Sequence, residues 1–339
     1  MPTIQDVAKA AGVSIATVSR VINSPATVST DKVKRVKSAI EELNYYPNSS
    51  GRNLRRSETK TLLMICAATI SDVLDGAYEA AARQGYRIVA TYADRRQLAR
   101  GMSYFNELFM GNVDGAILFS ALRSDESLVR LCQTVPIVQC SSFLDLPNAS
   151  SVSTDEEAAA YDAVSHLIET GKRRIGIITQ EIMPGAEDSY YTRRERGYRR
   201  ALMDAGLPVK PERMVRVPGG VQNGYSAGRQ LLSEQKVDGI FGVQDTLAFG
   251  AMVAAQRLGL SIPEQVGIVG IDNTGFSQLS DPGLTTVEQS FHEMGQVAVN
   301  MLIEQIRGEM EVKRNVYLQH RLLVRGSTVR GRSDGEAEK

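Results

Sequence analysis

From Thr61 onward the chain carries two series of short apolar runs, each of strand length and each separated from the next by a helix-length segment. The first series occupies 62–65, 85–89, 113–119 and 136–138, and the second 174–178, 214–217, 239–242 and 266–271. No other feature restricts the fold as much. Strands alternating with helices predict parallel sheets covered on both faces, and two series predict two similar lobes. Ligands of doubly wound sheets lie beyond the carboxyl ends of the strands, so two facing lobes place a cleft between them. A length of 339 residues suits several packed units better than one core.

Before Thr61 the period is different. Ile4, Val7, Ala8 and Ala11 form the stripe of a short helix that Gly12 ends. Ser14 is a natural N-cap for a second helix with Val18, Val21 and Ile22 inward, and a third starts near Ser29 with Val33, Val36, Ile40 and Leu43 on its inner face. Three short helices around a glycine turn predict a helix-turn-helix domain. Away from the inner stripe of the second helix point Ile15, Ala16, Ser19 and Arg20, with Thr17 beside them. Two readings are open. On DNA, the apolar pair meets thymine methyls and Arg20 forks onto a guanine edge; off DNA, Ile15 covers the neighbouring helix and Arg20 is a surface charge. Pro47 closes the domain. The segment 48–56 is polar and basic around a lone Leu54. It reads either as a disordered linker or as a segment that folds on DNA and wedges Leu54 into the minor groove. Residues 1–60 hold ten Lys/Arg against five Asp/Glu, and the remainder 29 against 34. A basic head on an acidic body is the pattern of a nucleic-acid-binding module joined to something else.

These residues carry a resemblance. Thr3-Ile4-x-Asp6-Val7-Ala8-x-x-Ala11-Gly12-Val13-Ser14-x-Ala16-Thr17-Val18-Ser19-Arg20-Val21-Ile22-Asn23, with Tyr45-x-Pro47-Asn48 and Arg52-x-Leu54, is similar to the signature of the LacI/GalR family of bacterial transcriptional repressors. Within that family, 51–59 resembles the cytidine-repressor branch. In the body, Asp155 with Ala158-Ala159, Gly270-Ile271-Asp272-Asn273, and Arg325-Gly326-Ser327-Thr328 resemble the family's effector domain, which is similar to periplasmic binding proteins.

The resemblance implies an α/β chain in four parts: a small all-α helix-turn-helix head (1–46), a hinge helix and linker (47–60), a two-lobed body of doubly wound parallel sheets (61–330), and a loose tail (331–339). The expected lobes are about 61–152 plus 283–311, and about 153–282 plus 312–330. It implies that Ile15, Ala16 and Arg20 read the major groove and that Leu54 and Arg55 belong to a minor-groove hinge. Ser14, Thr17, Ser19, Asn48 and Arg52 complete the expected DNA surface. Arg194 and Asp272 are the implied effector contacts, with Gln244, Asp245 and Ser141 as further candidates. A guanidinium donates in a fixed fork and a carboxylate only accepts, so the pair can bracket a hydroxyl-rich molecule across the cleft. The alternatives are a salt bridge between lobes and, for Asp245, a helix cap.

The chain also departs from its relatives. The loop at 67–74 lacks the Asn-Pro-aromatic-aromatic pattern, and Pro218-Gly219-Gly220-Val221 replaces the aromatic expected before Gly224-Tyr225. Both usual stacking walls are gone. A polyhydroxylated or anionic effector held by polar contacts is therefore expected, and a remodelled or lost pocket is the alternative.

Nothing marks an enzyme: there is no P-loop, complete GxGxxG, HExxH or GxSxG, and His166, His292 and His320 are dispersed. No cofactor or metal is expected. Cys66, Cys132 and Cys140 are odd in number and lack CxxC spacing, so they read as reduced thiols. No apolar run nears the roughly 20 residues that cross a bilayer. The N-terminus has no signal-peptide pattern, so a cytoplasmic chain is expected. Its expected partners are an operator in double-stranded DNA, a small effector (sugar, sugar phosphate or nucleoside-like) and a second copy of itself. A solute-binding protein with the same body is the reading from another class, and the gap-free head opposes it.

Overall fold

The computed structural model describes residues 3–23, 25–43, 59–66, 71–92, 112–120, 128–129, 132–133, 135–146, 148–181, 188–309 and 313–330. It divides into two units, Met1–Thr59 and Lys60–Lys339.

In the first unit, α1 (Ile4–Ala11) starts from a capping box in which Thr3 and Asp6 satisfy each other's backbone, and ends where Gly12 turns left-handed at φ 61°. The next helix, α2 (Ile15–Asn23), starts behind Ser14, whose Oγ accepts from the Thr17 N–H at 3.2 Å. The third, α3, spans Thr30–Glu42. Their shared core is Val7, Ala8, Ala11, Val18, Val21, Val36 and Ala39. All seven are small, which lets short helices approach closely.

The second unit is built on two sheets. Its strands begin with β1 (Thr61–Cys66), β2 (Arg87–Tyr92), β3 (Gly115–Phe119), β4 (Ile137–Cys140) and β5 (Ser150–Thr154). They continue with β6 (Ile175–Gln180), β7 (Met214–Val217), β8 (Gly239–Gly242), β9 (Gly267–Ile271), β10 (Thr285–Gln289), β11 (Asn315–Leu318) and β12 (His320–Leu323). One sheet has the order β11-β5-β4-β3-β1-β2 and is wholly parallel. The other has the order β12-β10-β9-β8-β6-β7, parallel except where β12 runs against β10. In β1, Leu62, Met64 and Cys66 join one core cluster and Leu63 and Ile65 join another. Both faces of that sheet are buried, which is why the run is continuously apolar rather than alternating.

The helices α4 (Ser71–Arg83), α5 (Glu156–Glu169), α6 (Tyr190–Asp204), α7 (Val221–Ser233), α8 (Asp245–Arg257), α9 (Gly275–Leu279) and α10 (Phe291–Ile306) cover the sheets. Phe291, Met294, Ala298 and Leu302 of α10 pack in the first lobe with Val73 and Ala77 of α4. Asp155 caps α5, accepting from the Ala158 N–H at 3.0 Å.

The chain crosses between lobes three times, after β5, after β10 and after β11. This differs from the expected boundaries at two strands. Residues 285–289 were expected in the first lobe, but β10 pairs with β9 and β12 in the second sheet. Residues 315–318 were expected in the second lobe, but β11 pairs with β5 and extends the first sheet. Hydrogen-bond pairing decides lobe membership, and neither strand has a long apolar run that reveals its partner. The expected hinge residues Asn48, Arg52, Leu54 and Arg55, the loop at 67–70 and the tail at 331–339 lie outside the described residues.

Candidate functional site

On α2, Val18 and Val21 are buried while Ile15, Ala16 and Arg20 are exposed, Ile15 to 45%. Ser14 is exposed at the helix start, and Thr17 and Ser19 are half-buried. An Ile left in solvent next to an Ala and an Arg is not covering its own domain. Four of the six expected major-groove residues therefore stand exposed at one helix end and its flank.

In the body, one cleft is lined by Ser120, Ser141, Tyr190, Arg194, Gln244, Asp272, Gln289 and Phe291. The space between them, about 290 Å³ counted out into open solvent, is only partly enclosed. Ser120 follows β3, Ser141 follows β4, Gln244 stands two residues after β8, Asp272 follows β9, and Gln289 ends β10. The lining thus gathers at strand carboxyl ends, where the doubly wound architecture places ligands. Ser120, Ser141 and Asp272 have left-handed φ values of 53°, 49° and 116°. Backbone held in this region by non-glycine residues clusters at functional sites.

Arg194 is the hub. Its Nε donates to Glu156 Oε2 at 2.7 Å, one terminal nitrogen donates to the Val243 carbonyl, and the other lies 3.4 Å from Asp272 Oδ1. Gln289 Nε2 donates to the same Asp272 oxygen at 2.9 Å. Two carboxylates raise the Arg194 pKa above its ordinary value although burial opposes this. Burial is the main cause pushing the Asp272 carboxyl up to about 7, with Asp245 and Glu156 adding to it and Arg194 opposing. Arg194 and Asp272 are expected to hold an effector from opposite sides of the cleft, with a salt bridge between lobes as the alternative. They instead belong to one lobe, because α6 and β9 both build the second.

Asp245 is a second correction. It is fully buried and does not line the cleft. Its carboxylate accepts from the Thr274 N–H at 2.8 Å, from Thr274 Oγ1 at 3.1 Å and from Thr286 Oγ1 at 2.5 Å. Gly270 makes this possible, since a Cβ there would stand 2.3 Å from Asp245 Oδ1. Asp245 ties the start of α8 to the turn after β9, and Arg325 Nη2 donates to Asn273 Oδ1 at 2.8 Å in that same turn. The unusual backbone of Asp272 is held from both sides. Ser327 and Thr328 of the same C-terminal motif bond to Ile268 and Thr285, so that motif serves packing.

Of the five expected effector residues, Ser141, Arg194, Gln244 and Asp272 converge on the cleft. Ser120, Tyr190, Gln289 and Phe291 were not anticipated. Tyr190 and Phe291 supply aromatic surface, and Arg194 lies 5.4 Å from the Tyr190 ring centroid. The signal for both was positional: each aromatic opens a helix at the cleft. Gln289 is 5% exposed, and its Oε1 has no hydrogen-bond partner among the described residues. Buried acceptors of this kind are normally satisfied, so it is available to a donor in the cleft.

Elsewhere among the described residues, no group of three or more His, Cys, Asp or Glu is placed to hold a metal, and no helix is long and apolar enough to cross a membrane. Burial pushes the Cys66 and Cys132 thiols up to about 11, which makes them poor nucleophiles.

Comparison with known proteins gives two family matches: bacterial regulatory proteins of the lacI family over residues 3–48, and a periplasmic binding protein-like domain over 164–328. The chain is 34% identical to the HTH-type transcriptional repressor CytR of Escherichia coli strain K12, covering 96% of both chains. It is 33% identical to catabolite control protein A of Priestia megaterium, covering 96% of this chain and 99% of that one. Among solved structures, the Lac repressor dimer bound to operator and the anti-inducer ONPF matches with a TM-score of 0.82 at 26% identity, covering 97% and 99%. A complex of the transcriptional regulator CelR with cellobiose matches with a TM-score of 0.72 at 30% identity, covering 96% and 100%.

Proposed function

Because the chain belongs to the LacI family of bacterial regulatory proteins, we propose that it represses transcription as a homodimer whose α2 reads an operator and whose cleft answers a neutral, polyhydroxylated effector. It is a DNA-binding transcriptional regulator, and its relatives are repressors rather than enzymes. The work of such a regulator is done in the cytoplasm.

One head is small, so two acting as a symmetric pair on a pseudo-palindrome supply the affinity. Ile15, Ala16 and Arg20 meet base edges, Ser14, Thr17 and Ser19 flank them, and the segment holding Asn48, Arg52, Leu54 and Arg55 enters the minor groove.

The convergence of Ser141, Arg194, Gln244 and Asp272 on one cleft carries the effector reading. A free guanidinium would favour a phosphorylated ligand. Here Glu156 and Asp272 already balance the charge of Arg194, so a sugar or nucleoside with hydroxyls suits the site better than an anion. The Tyr190 and Phe291 rings replace the stacking walls missing elsewhere.

The test is operator binding by the full chain, with and without sugars, nucleosides and sugar phosphates. Operator should be preferred over scrambled DNA, and a neutral compound should change operator affinity. Arg20→Ala should relax discrimination at one base pair per half-site by about 1–3 kcal/mol. Equal binding of operator and scrambled DNA by the wild type overturns the repressor reading, and a response confined to phosphorylated compounds overturns the neutral-effector reading.

A further inference from the structure

Phe143 differs from its neighbours in the loop after β4. The Ser142 hydroxyl donates to the Leu118 carbonyl at 3.2 Å. Leu144 donates its N–H to Gln139 Oε1 at 2.8 Å and accepts from Gln139 Nε2 at 2.9 Å. Leu144 and Leu146 lie in a first-lobe core. Phe143, fastened on both sides to the first lobe, packs instead against the core of the second.

A cation of the second lobe meets it there. The Arg193 guanidinium on α6 stands 3.9 Å from the Phe143 ring centroid. Asp188 holds that guanidinium through Nε at 3.0 Å and Nη2 at 2.6 Å. Tyr317, on β11 of the first lobe, also interacts with Arg193. The start of α6 is itself fixed by a capping box between Ser189 and Thr192. The stack therefore joins two supports that are each rigid within their own lobe, so a rigid-body rotation of one lobe against the other breaks it as a unit. It also borders the cleft, since Ser141 lies two residues before Phe143 and Arg194 follows Arg193.

We propose that Phe143 and Arg193 form a clasp between the lobes, closed in the present arrangement and released when the lobes move apart, which sets the balance of the two arrangements before any effector binds. Its regulatory consequence rests on the cleft being the effector site; the clasp itself does not. A partly desolvated guanidinium–ring stack is worth about a three- to thirtyfold bias, and an effector shifts the balance only by its differential affinity for the two arrangements.

The test is the distance between spin labels on the exposed positions Arg83→Cys in the first lobe and Asp204→Cys in the second. The full chain is used in a Cys132→Ser background, diluted with unlabelled protein. Wild type should give one dominant distance. Phe143→Ala and Arg193→Ala should each raise a second distance by about three- to thirtyfold relative to the first, Arg193→Ala the more because it also loses Tyr317, and the double variant should go no further than Arg193→Ala alone. Arg193→Lys should fall between, because an ammonium keeps the charge but not the planar stack. Unchanged distances in both single variants, or single effects that multiply in the double variant, overturn the clasp. The readout needs neither operator nor effector, so its failure leaves the ligand reading of the cleft standing, and an unsuccessful effector search leaves the clasp standing.

Discussion

The two lobes contribute to the cleft in opposite ways. The first supplies Ser120 and Ser141, both at left-handed corners after strands, and the Phe291 ring. The second supplies Tyr190, Arg194, Gln244, Asp272 and Gln289. Charge and long amides stand on one side, short hydroxyls and a ring on the other. Every charged group of the site is thus held by its own lobe, with Glu156, Arg194 and Asp272 balanced inside the second whatever the first does. Recognition chemistry stays assembled through a lobe movement, and the movement changes only how closely the first lobe covers it.

That asymmetry can be broken most forcefully at Arg194. Its side chain is 3% exposed, and removing it leaves the carboxylates of Glu156 and Asp272 without their cation. Arg194→Ala should cost about 3–5 kcal/mol in denaturant unfolding. A pair spanning the cleft would have let this variant keep its stability, and a wild-type unfolding midpoint would restore that picture.

Asp272→Asn sharpens the comparison through pH. Burial raises the Asp272 carboxyl to about 7 in the folded chain, against about 3.9 when unfolded. The native state therefore binds the proton more tightly. This contribution to stability is complete below about pH 4 and is lost as pH rises through about 7. Melting temperatures followed from about pH 5 to 8 should fall more steeply for the wild type than for Asp272→Asn, and parallel profiles would remove Asp272 as the source.

The smallest effect is expected in the first lobe. Ser141→Gly relieves a left-handed residue at φ 49° but frees the unfolded chain, and these terms nearly offset each other. Its unfolding free energy should stay within about 1 kcal/mol of wild type. A larger loss would show that the first lobe contributes more than shape.

The apolar runs located β1 to β4 and β6 to β9: the interior strands are continuously apolar because they are buried on both faces, and the partly exposed edge strands β2 and β7 carry shorter apolar stretches. Polar β5 escaped detection. Two hydroxyls of its sequence Ser-Ser-Val-Ser-Thr find partners far along the chain: Ser150 Oγ accepts from Gln305 Nε2 at 2.6 Å, and Ser151 Oγ donates to Asn315 Oδ1 at 2.8 Å. Such partners are invisible to periodicity. The same limit explains Asp245, since an acid after a strand looks alike whether it faces a ligand or Thr274 and Thr286. Tyr190 and Phe291 escaped because stacking surface was sought in loops, whereas the fold brings it in on the first residues of two helices.

The three crossings between lobes bear on how the protein is made. The first sheet begins at Thr61 but lacks its outer strand until 315–318, and the second lacks its own until 320–323. A ribosome must therefore deliver the chain as far as 315–323 before the sheets close, and pairings this distant in sequence form slowly. During synthesis the edges of β5 and β10 stand open, as sites of attachment for other strands. Residues 315–323 supply the last strand of each sheet, so the two halves of the body are completed together rather than in turn.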